Sequence, residues 1–395
     1  MKKRVLSIFL ICAFMLCGCG SKETQKDESE TQMASEETDV RYEIKELPVP
    51  DPLLAENAQG SDYIGDGFEG FVADLAGLPA IYYSSISFEY EEYAATVSRY
   101  TLNEDMDWVS KELCENSLSE FLNNKYEQTN WKWCTLKRFK RGDDGNLYGI
   151  FVYAVKETVM LEGEETEVIT QKYSLLQIDE ENDTVFDVPL DEVIQVQKAA
   201  GRGEDNEGEA DWLSDYHIFE DGKVLLIGGD AGGASGYLVD GESGQLLNEL
   251  GNIVNGKKRF AYGESEVVFF SNGPNLFQVY GIPDMSEENT FGSLLDQEVI
   301  GKDWHFYMNP VTWELFLCNV TGVYKVENYQ SSDVVDCLTV KTDMSEVFTD
   351  GAEVLDFLVG DEEDFYLCLQ ETTEEYDVET KQYRMLHGTK IVSES

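Results

Sequence analysis

The chain has 395 residues, 42% hydrophobic and 12% aromatic, enough for one large core or a repeat architecture. Its formal net charge of −49 sets it against nucleic acid and anionic lipid headgroups, so a nucleic-acid partner is excluded. The acidity reads as a solvated exterior, with a cation-dependent surface as the alternative.

Residues 1–18 read as a signal peptide, outside any fold. Lys2, Lys3 and Arg4 form a positive start, and Val5 to Leu16 is an apolar stretch too short to span a bilayer. It ends in Leu16-Cys17-Gly18-Cys19. That ending resembles the lipobox of bacterial lipoproteins, with Leu at −3, a small residue at −1 and Cys at +1. The resemblance implies cleavage before Cys19, a diacylglycerol thioether on Cys19, and an extracytoplasmic chain anchored in the cell membrane through its lipid. A plain secretory signal or an uncleaved anchor are the rivals. Residues 19–44 are rich in Ser, Thr, Glu, Lys and Gln and nearly free of large apolar residues. Such a stretch cannot offset its ordering entropy, so it is expected to be a lipidated, disordered tether.

Residues 45–395 are expected to form the folded domain, entered at Glu46-Leu47-Pro48-Val49-Pro50. Ala80 to Ser87 and Tyr93 to Leu102 predict paired strands. From Asp105 to about Lys125 the pattern changes. Cys114, Leu118, Phe121 and Leu122 share a face at helical spacing, which predicts one inserted helix near 105–125, with Trp108 stapling its start to the sheet. Strands return at Trp131–Phe139 and Leu147–Tyr153 around the turn Asp143-Asp144-Gly145-Asn146. Thr166–Ile178 and Thr184–Leu190 follow around the acidic turn at 179–183. Residues 201–210 read as a polar loop.

The stretch from Tyr216 to Leu250 is the clearest. Glu220-Asp221-Gly222 and Asp240-Gly241-Glu242-Ser243-Gly244 are turn chemistry, because Gly supplies the positive φ that a tight hairpin needs. Between them lie Val224-Leu225-Leu226-Ile227 and Gly236-Tyr237-Leu238-Val239, the strands of an antiparallel meander. Leu147, Val224, Val267, Leu315 and Phe365 each open an apolar strand after a polar turn. Their separations are about 77, 43, 48 and 50 residues. Three of the four fall in the range of roughly 40–50 residues expected of propeller blades. The fold class predicted is all-β, a β-propeller of seven blades, with six or eight allowed. A β-sandwich is the alternative. Within the repeat, Leu315 is expected to be buried and Glu314 exposed, since side chains alternate along a strand.

GDDGNLYGIF, FEDGKVLLIGGD, GYLVDGESGQLL and TGVYKVENY resemble repeats of the broad WD40-, YVTN- and quinoprotein-like propeller group. They look most like propeller modules of lipoproteins from anaerobic Gram-positive bacteria, some of which continue into an extracellular solute-binding domain. Here the sequence runs to Ser395, and that domain is expected to be absent. The Gly-His…Trp-Asp signature and a tryptophan-docking motif for a quinone are missing, so neither activity follows from the resemblance.

The search for reactive chemistry gives little. With Cys12, Cys17 and Cys19 set aside, Cys114, Cys134, Cys318, Cys337 and Cys368 remain. They are an odd, scattered set without CxxC spacing, against a disulfide framework or zinc. A Cys114–Cys134 bridge is one option. Cys318 and Cys368 close matching strands and read as small core residues. His217, His305 and His387 lie far apart. The run from Gly228 to Gly236 superficially resembles a phosphate loop but lacks the GK[ST] lysine, and reads as an inter-strand turn. Asp143, Asp144 and Asn146, or Asp179 and Asp183, carry hard oxygens suited to calcium, without EF-hand spacing. Solvated acidic turns are the ordinary reading. Trp304, Phe306, Tyr307 and Trp313 suit sugar stacking or, at strand spacing, packing between blades.

No catalytic residue, cofactor or metal is assigned. The expectation is a non-enzymatic, surface-anchored propeller that binds a protein or carbohydrate ligand. The alternatives are an accessory component of an ABC-type solute uptake system and an extracellular glycan-active enzyme.

Overall fold

The computed structural model describes most of residues 41–391, with longer gaps at 54–67, 191–212, 254–259, 293–304 and 327–337. The expected signal peptide, Cys19 and nearly all of the tether lie outside the described residues. So do the loop at 201–210 and the side chains of Trp304, Val267 and Cys337.

Among the described residues the strands fall into six four-stranded sheets. Sheet I holds β2 (Val72–Ala73), β3 (Pro79–Glu89), β4 (Glu92–Leu102) and β5 (Trp108–Leu113). Sheet II holds β6 (Trp131–Arg141), β7 (Leu147–Leu161), β8 (Glu164–Asp179) and β9 (Thr184–Val188). Sheet III holds β10 (Asp215–Ile218), β11 (Lys223–Asp230), β12 (Gly233–Asp240) and β13 (Leu246–Ile253). Sheet IV holds β14 (Phe260–Tyr262), β15 (Glu266–Ser271), β16 (Leu276–Gly281) and β17 (Ser286–Gly292). Sheet V holds β18 (His305–Met308), β19 (Leu315–Asn319), β20 (Gly322–Val326) and β21 (Leu338–Asp343). Sheet VI takes β22 (Ala352–Val359), β23 (Phe365–Glu375) and β24 (Val378–Ile391) from one end of the chain and β1 (Arg41–Leu47) from the other. Every pairing is antiparallel and every sheet follows a meander order.

The ring is read from the packing. One apolar cluster joins sheets I and II, another II and III, another V and VI, and another VI and I. Alternation along single strands sorts the side chains between neighbours. Leu147 and Phe151 of β7 face sheet I, while Tyr148, Ile150 and Val152 face sheet III. Phe365, Leu367 and Leu369 of β23 face sheet V, while Tyr366 and Cys368 face sheet I. A sheet buried on both faces needs an unbroken apolar run, which is what the sequence writes at 147–152, 224–227 and 315–318. Leu147, Val224 and Phe365 hold one repeated position, each facing the preceding sheet. β1 pairs with β24 from Arg41↔Ile391 to Leu47↔Met385, so the two ends of the propeller close the ring on each other.

The expectation of seven blades is overturned. Five blades are built from consecutive strands and one is assembled from both chain ends. The period misled because some strands outgrow the blade. The β7–β8 ladder runs from Leu147↔Ile178 out to Leu161↔Glu164, well past the reach of β6 and β9. That arm lengthens the interval between Leu147 and Val224 without adding a blade. The folded domain also begins earlier than Lys45, since Arg41 already pairs.

The helix is shorter than expected. Residues Trp108–Leu113 form β5, and only Glu115–Lys125 is helical, here α1. Trp108 packs at the sheet, its indole nitrogen donating to Pro48 O at 2.7 Å. Leu118 and Leu122 are fully buried against sheets I and II. On the same helix, Asn123 Oδ1 accepts from Tyr93 N at 2.8 Å and Nδ2 donates to Tyr93 O at 3.1 Å. Ser119 does the same for Ala95 N and O, at 2.9 and 3.2 Å. β5 pairs β4 only from Val97 onward. The two side chains therefore satisfy the stretch of β4 edge that a fourth strand leaves bare.

Leu315 is 1% exposed. Glu314 is not the freely exposed residue expected: its carboxylate pairs with Lys325, whose side chain is only 15% exposed. Leu315→Ala should cost about 2–5 kcal/mol, because the cavity lies between sheets that cannot collapse into it. Glu314→Ala should cost about 1 kcal/mol or less, in the range of a partly screened pair. Denaturant melts of the two variants give both numbers, and equal losses would contradict the register.

Candidate functional site: the turn face

In an antiparallel meander the first-to-second and third-to-fourth turns leave at one end of the sheet. Packed as a ring, the sheets bring the described turns of this kind to one face. The described first-to-second turns are of two lengths, three loop residues in sheets I, II, III and VI and four in sheet V. The residue before the turn donates to the residue after it: Asp74 N to Leu78 O, Gly142 N to Asn146 O, Phe219 N to Lys223 O, Asn309 N to Glu314 O and Gly360 N to Asp364 O, at 2.7–3.0 Å. The penultimate residue has positive φ in all five: Gly77, Gly145, Gly222, Trp313 and Glu363. This is a short hairpin loop closed by a left-handed residue. Glycine costs nothing there. Trp313 and Glu363, at φ 55° and 63°, each carry about 1–3 kcal/mol of backbone strain.

Most of the acidic turn residues are spent on their own turns. Asp144 accepts from Asn146 N, Asn146 Nδ2 and Tyr148 OH, at 3.0, 2.8 and 2.7 Å. Asp179 accepts from the amides of Glu181 and Asn182 and from Asn182 Nδ2. Asp240 accepts from Ser243 N and Oγ, at 2.7 and 2.6 Å. Hydrogen bonds from Asn182 and from Ser243 hold the Asp179 and Asp240 carboxyls below the usual range. Asp143 turns away from Asp144 to His217 Nε2 at 3.0 Å, while Asp183 accepts from Ser117 Oγ at 3.3 Å. The two oxygen sets considered for calcium are thus divided among different partners. Among the described residues no group of three or more His, Cys, Asp or Glu converges as metal ligands.

The scarce cations sit at the junctions between sheets on this face. Arg141, at the end of β6, donates to Glu180 Oε2 at 2.8 Å, Tyr82 OH at 2.9 Å and Gly145 O at 2.7 Å. Arg99 of β4 reaches the other oxygen of Glu180 at 3.0 Å. Sheets I and II are therefore stitched by two guanidinium groups on one carboxylate. Between II and III, Lys140 pairs with the buried Asp215. Between V and VI, Lys325 pairs with Glu314 and lies 3.9 Å from Glu363, which also holds Lys390 at 2.7 Å. Asn309 Nδ2 donates across the same junction to Val359 O at 3.2 Å. Sequence reasoning passed over these cations. The legible signal was a basic residue at a turn boundary, Arg141 before Gly142, in a chain this acidic.

The histidines stay in different sheets, in β10, β18 and β24. His387 stacks on Tyr366 at 4.5 Å and pairs with Asp364 at 3.3 Å. Burial lowers its pKa against the pull of Asp364. Cys114 and Cys134 are free thiols, not a bridge. Burial raises them to about 11 and about 12. Cys318 and Cys368 are fully buried at matching places in β19 and β23. The run from Gly228 to Gly236 joins β11 to β12, and much of it is strand: Gly228↔Ser235, Gly229↔Ala234 and Asp230↔Gly233 continue the ladder, with Ala231 and Gly232 outside the described residues. Of the four aromatics considered for stacking, Phe306 is buried and Tyr307 packs edge-on against Phe357 at 6.1 Å, as blade packing requires. Trp313 is 40% exposed.

No protein-family profile matches the chain. No curated protein sequence matches it either. Solved structures do. A chain of the mitotic checkpoint complex aligns with a TM-score of 0.40 and 10% identity, over 97% of this chain and 89% of that one. Luciferin-regenerating enzyme gives a TM-score of 0.40 and 13% identity, over 80% and 90%. The Neurospora crassa Pan2 WD40 domain gives 0.36 and 12%, over 81% and 94%. At such scores the propeller assignment rests on the six sheets and their packing.

Proposed function

We propose that the chain is an extracytoplasmic lipoprotein, held at the membrane through Cys19, whose propeller binds a ligand and is not an enzyme. The observation that carries this is how the chemistry-bearing side chains of the turn face are used. Their carboxylates cap turns and their cations stitch sheets, which builds a rigid platform. Loops on rigid scaffolds are where binding residues concentrate. The sequence adds the anchor, since Leu16-Cys17-Gly18-Cys19 directly precedes the polar tract.

Cells expressing the full chain should incorporate labelled palmitate and keep the protein in the membrane fraction. Cys19→Ser should lose the label and leave an uncleaved or released form. Label entering that variant at the wild-type level would overturn the anchor. For the binding half, purified chain is mixed with a panel of glycans and its own cell envelope. Retention without release of new reducing ends is expected. Steady release of reducing ends would show an enzyme instead.

A further inference from the structure

We infer that the outer edge of the β7–β8 arm is a docking edge for an extended, basic segment of a partner protein, which adds a strand to β8. The arm leaves its sheet at the end opposite the turns described above. The inference goes beyond the turn-face reading, and either can fail alone.

The arm is longer than a blade needs. β6 pairs with β7 only as far as Val155, and β9 pairs with β8 only from Leu175. Beyond them β7 and β8 run on as a two-stranded ladder to Leu161↔Glu164. In sheets III and V the fourth strand follows the same hairpin nearly to its end, at Ala234↔Ile253 and Gly322↔Asp343. A blade therefore closes without such an arm.

The edge is also open where a sister edge is closed. In sheet I, β4 outruns β5, and Ser119 and Asn123 of α1 bond the backbone of Ala95 and Tyr93 there. Among the described residues no strand or side chain does this for β8 between Glu164 and Thr170. Glu165, Thr166, Glu167 and Ile169 are exposed. Ile169, at 63%, is more exposed than any other large hydrophobic among the described residues. A row of unpaired backbone groups of this kind accepts an added strand.

Charge selects the occupant. Residues 156–170 carry Glu157, Glu162, Glu164, Glu165 and Glu167 against Lys156 alone, and Lys156 meets Glu167 at 2.5 Å in an exposed pair. A second copy of the arm would set carboxylates against carboxylates, and like charges facing across strands are destabilising. A basic strand meets the opposite sign. Side chains alternate along β8, so Glu165, Glu167 and Ile169 share one face. A segment laid antiparallel on this edge therefore offers an apolar residue to Ile169 and a Lys or Arg to each of Glu167 and Glu165, at every second position. The edge bonds require a peptide backbone, which sets a protein segment apart from other cations.

The test titrates the detergent-solubilised full chain into a labelled, acetylated peptide amide, Thr-Val-Thr-Lys-Thr-Lys-Thr, read by fluorescence anisotropy. Saturable binding is expected. The same peptide N-methylated at every residue keeps its charge and loses its edge donors, and should bind about tenfold more weakly or worse. The double variant Glu165→Lys, Glu167→Lys should lose the peptide and take up its counterpart with Glu in place of Lys. Its melting temperature should stay at the wild-type value, since neither residue belongs to the core clusters that join the sheets. Equal binding of the N-methylated peptide would reduce the contact to bulk charge and overturn the inference. No binding, or unchanged binding by the double variant, would overturn it as well. Dimerisation of the chain alone, seen by sedimentation and altered in the double variant, would give the edge to a second copy and overturn the basic partner.

Discussion

Phe365→Ala should lower the unfolding free energy by about 3–5 kcal/mol. The ring is 1% exposed, opens β23, and sits in the cluster that joins sheets V and VI. Its reach is wider than one cavity. Gly388 of β24 is its direct cross-strand partner, and Tyr42 of β1 meets it at 5.1 Å between ring centroids. The Phe365 ring occupies the space a side chain at 388 would need. A Cβ added there would lie inside the ring's contact distance, within 2.6 Å of Cε2. Gly388→Ala should therefore destabilise as well, by about 1–3 kcal/mol of overpacking. The double variant should recover part of the loss, because the removed ring makes room for the added methyl. Denaturant unfolding of the three variants checks this. Strictly additive losses would mean the two residues do not share the space.

A chain lacking residues 41–47 should lose its single cooperative unfolding transition and associate. β1 supplies the fourth strand of sheet VI, and seven rungs of ladder go with it. Leu47 is buried, and Tyr42 and Ile44 pack against the core. Burial of those three is worth about 3–6 kcal/mol. That approaches the whole margin of a typical domain, about 5–15 kcal/mol. The deletion also frees the edge of β24 as a template for another chain. The ion pair from Arg384 to Glu46 and Glu371 is lost in part, but these groups are partly exposed and add little. Size-exclusion chromatography and thermal melts report the outcome. A monomer melting at the wild-type temperature would show that closure is dispensable.

Legibility in the sequence followed the physics of each signal. Turn chemistry was local, so Asp143-Asp144-Gly145-Asn146 and Glu220-Asp221-Gly222 could be placed to the residue. Apolar runs buried on both faces were equally plain, and Leu147, Val224, Leu315 and Phe365 all open second strands or stand next to their start. The blade number was not legible, because strand length is set by what a strand pairs with. Nothing in Thr158 or Val159 says that the β7–β8 ladder continues without β6 and β9. β1 was hidden for a related reason: Arg41-Tyr42-Glu43-Ile44 finds its partner nearly 350 residues later, and its neighbours are polar. Trp108-Val-Ser-Lys-Glu-Leu was misread as helix because Cys114, Leu118 and Leu122 follow at helical spacing, and the helix period was extended backward over a strand. At the turn face the acids were visible and the strain was not. Trp313 looked like any strand aromatic until its φ placed it beside the glycines of sister turns.

The seam between β1 and β24 also decides how the domain meets mechanical load. Arg41 stands at the free end of β1, opposite Ile391, so tension in the segment before it enters the ring at that first rung. A pull along the strand shares the load across all seven rungs in shear. A sideways pull peels them one by one, beginning at Arg41↔Ile391. The strand that completes the fold is thus also the fuse between the amino-terminal segment and the ring, and direction of pull sets how soon it gives.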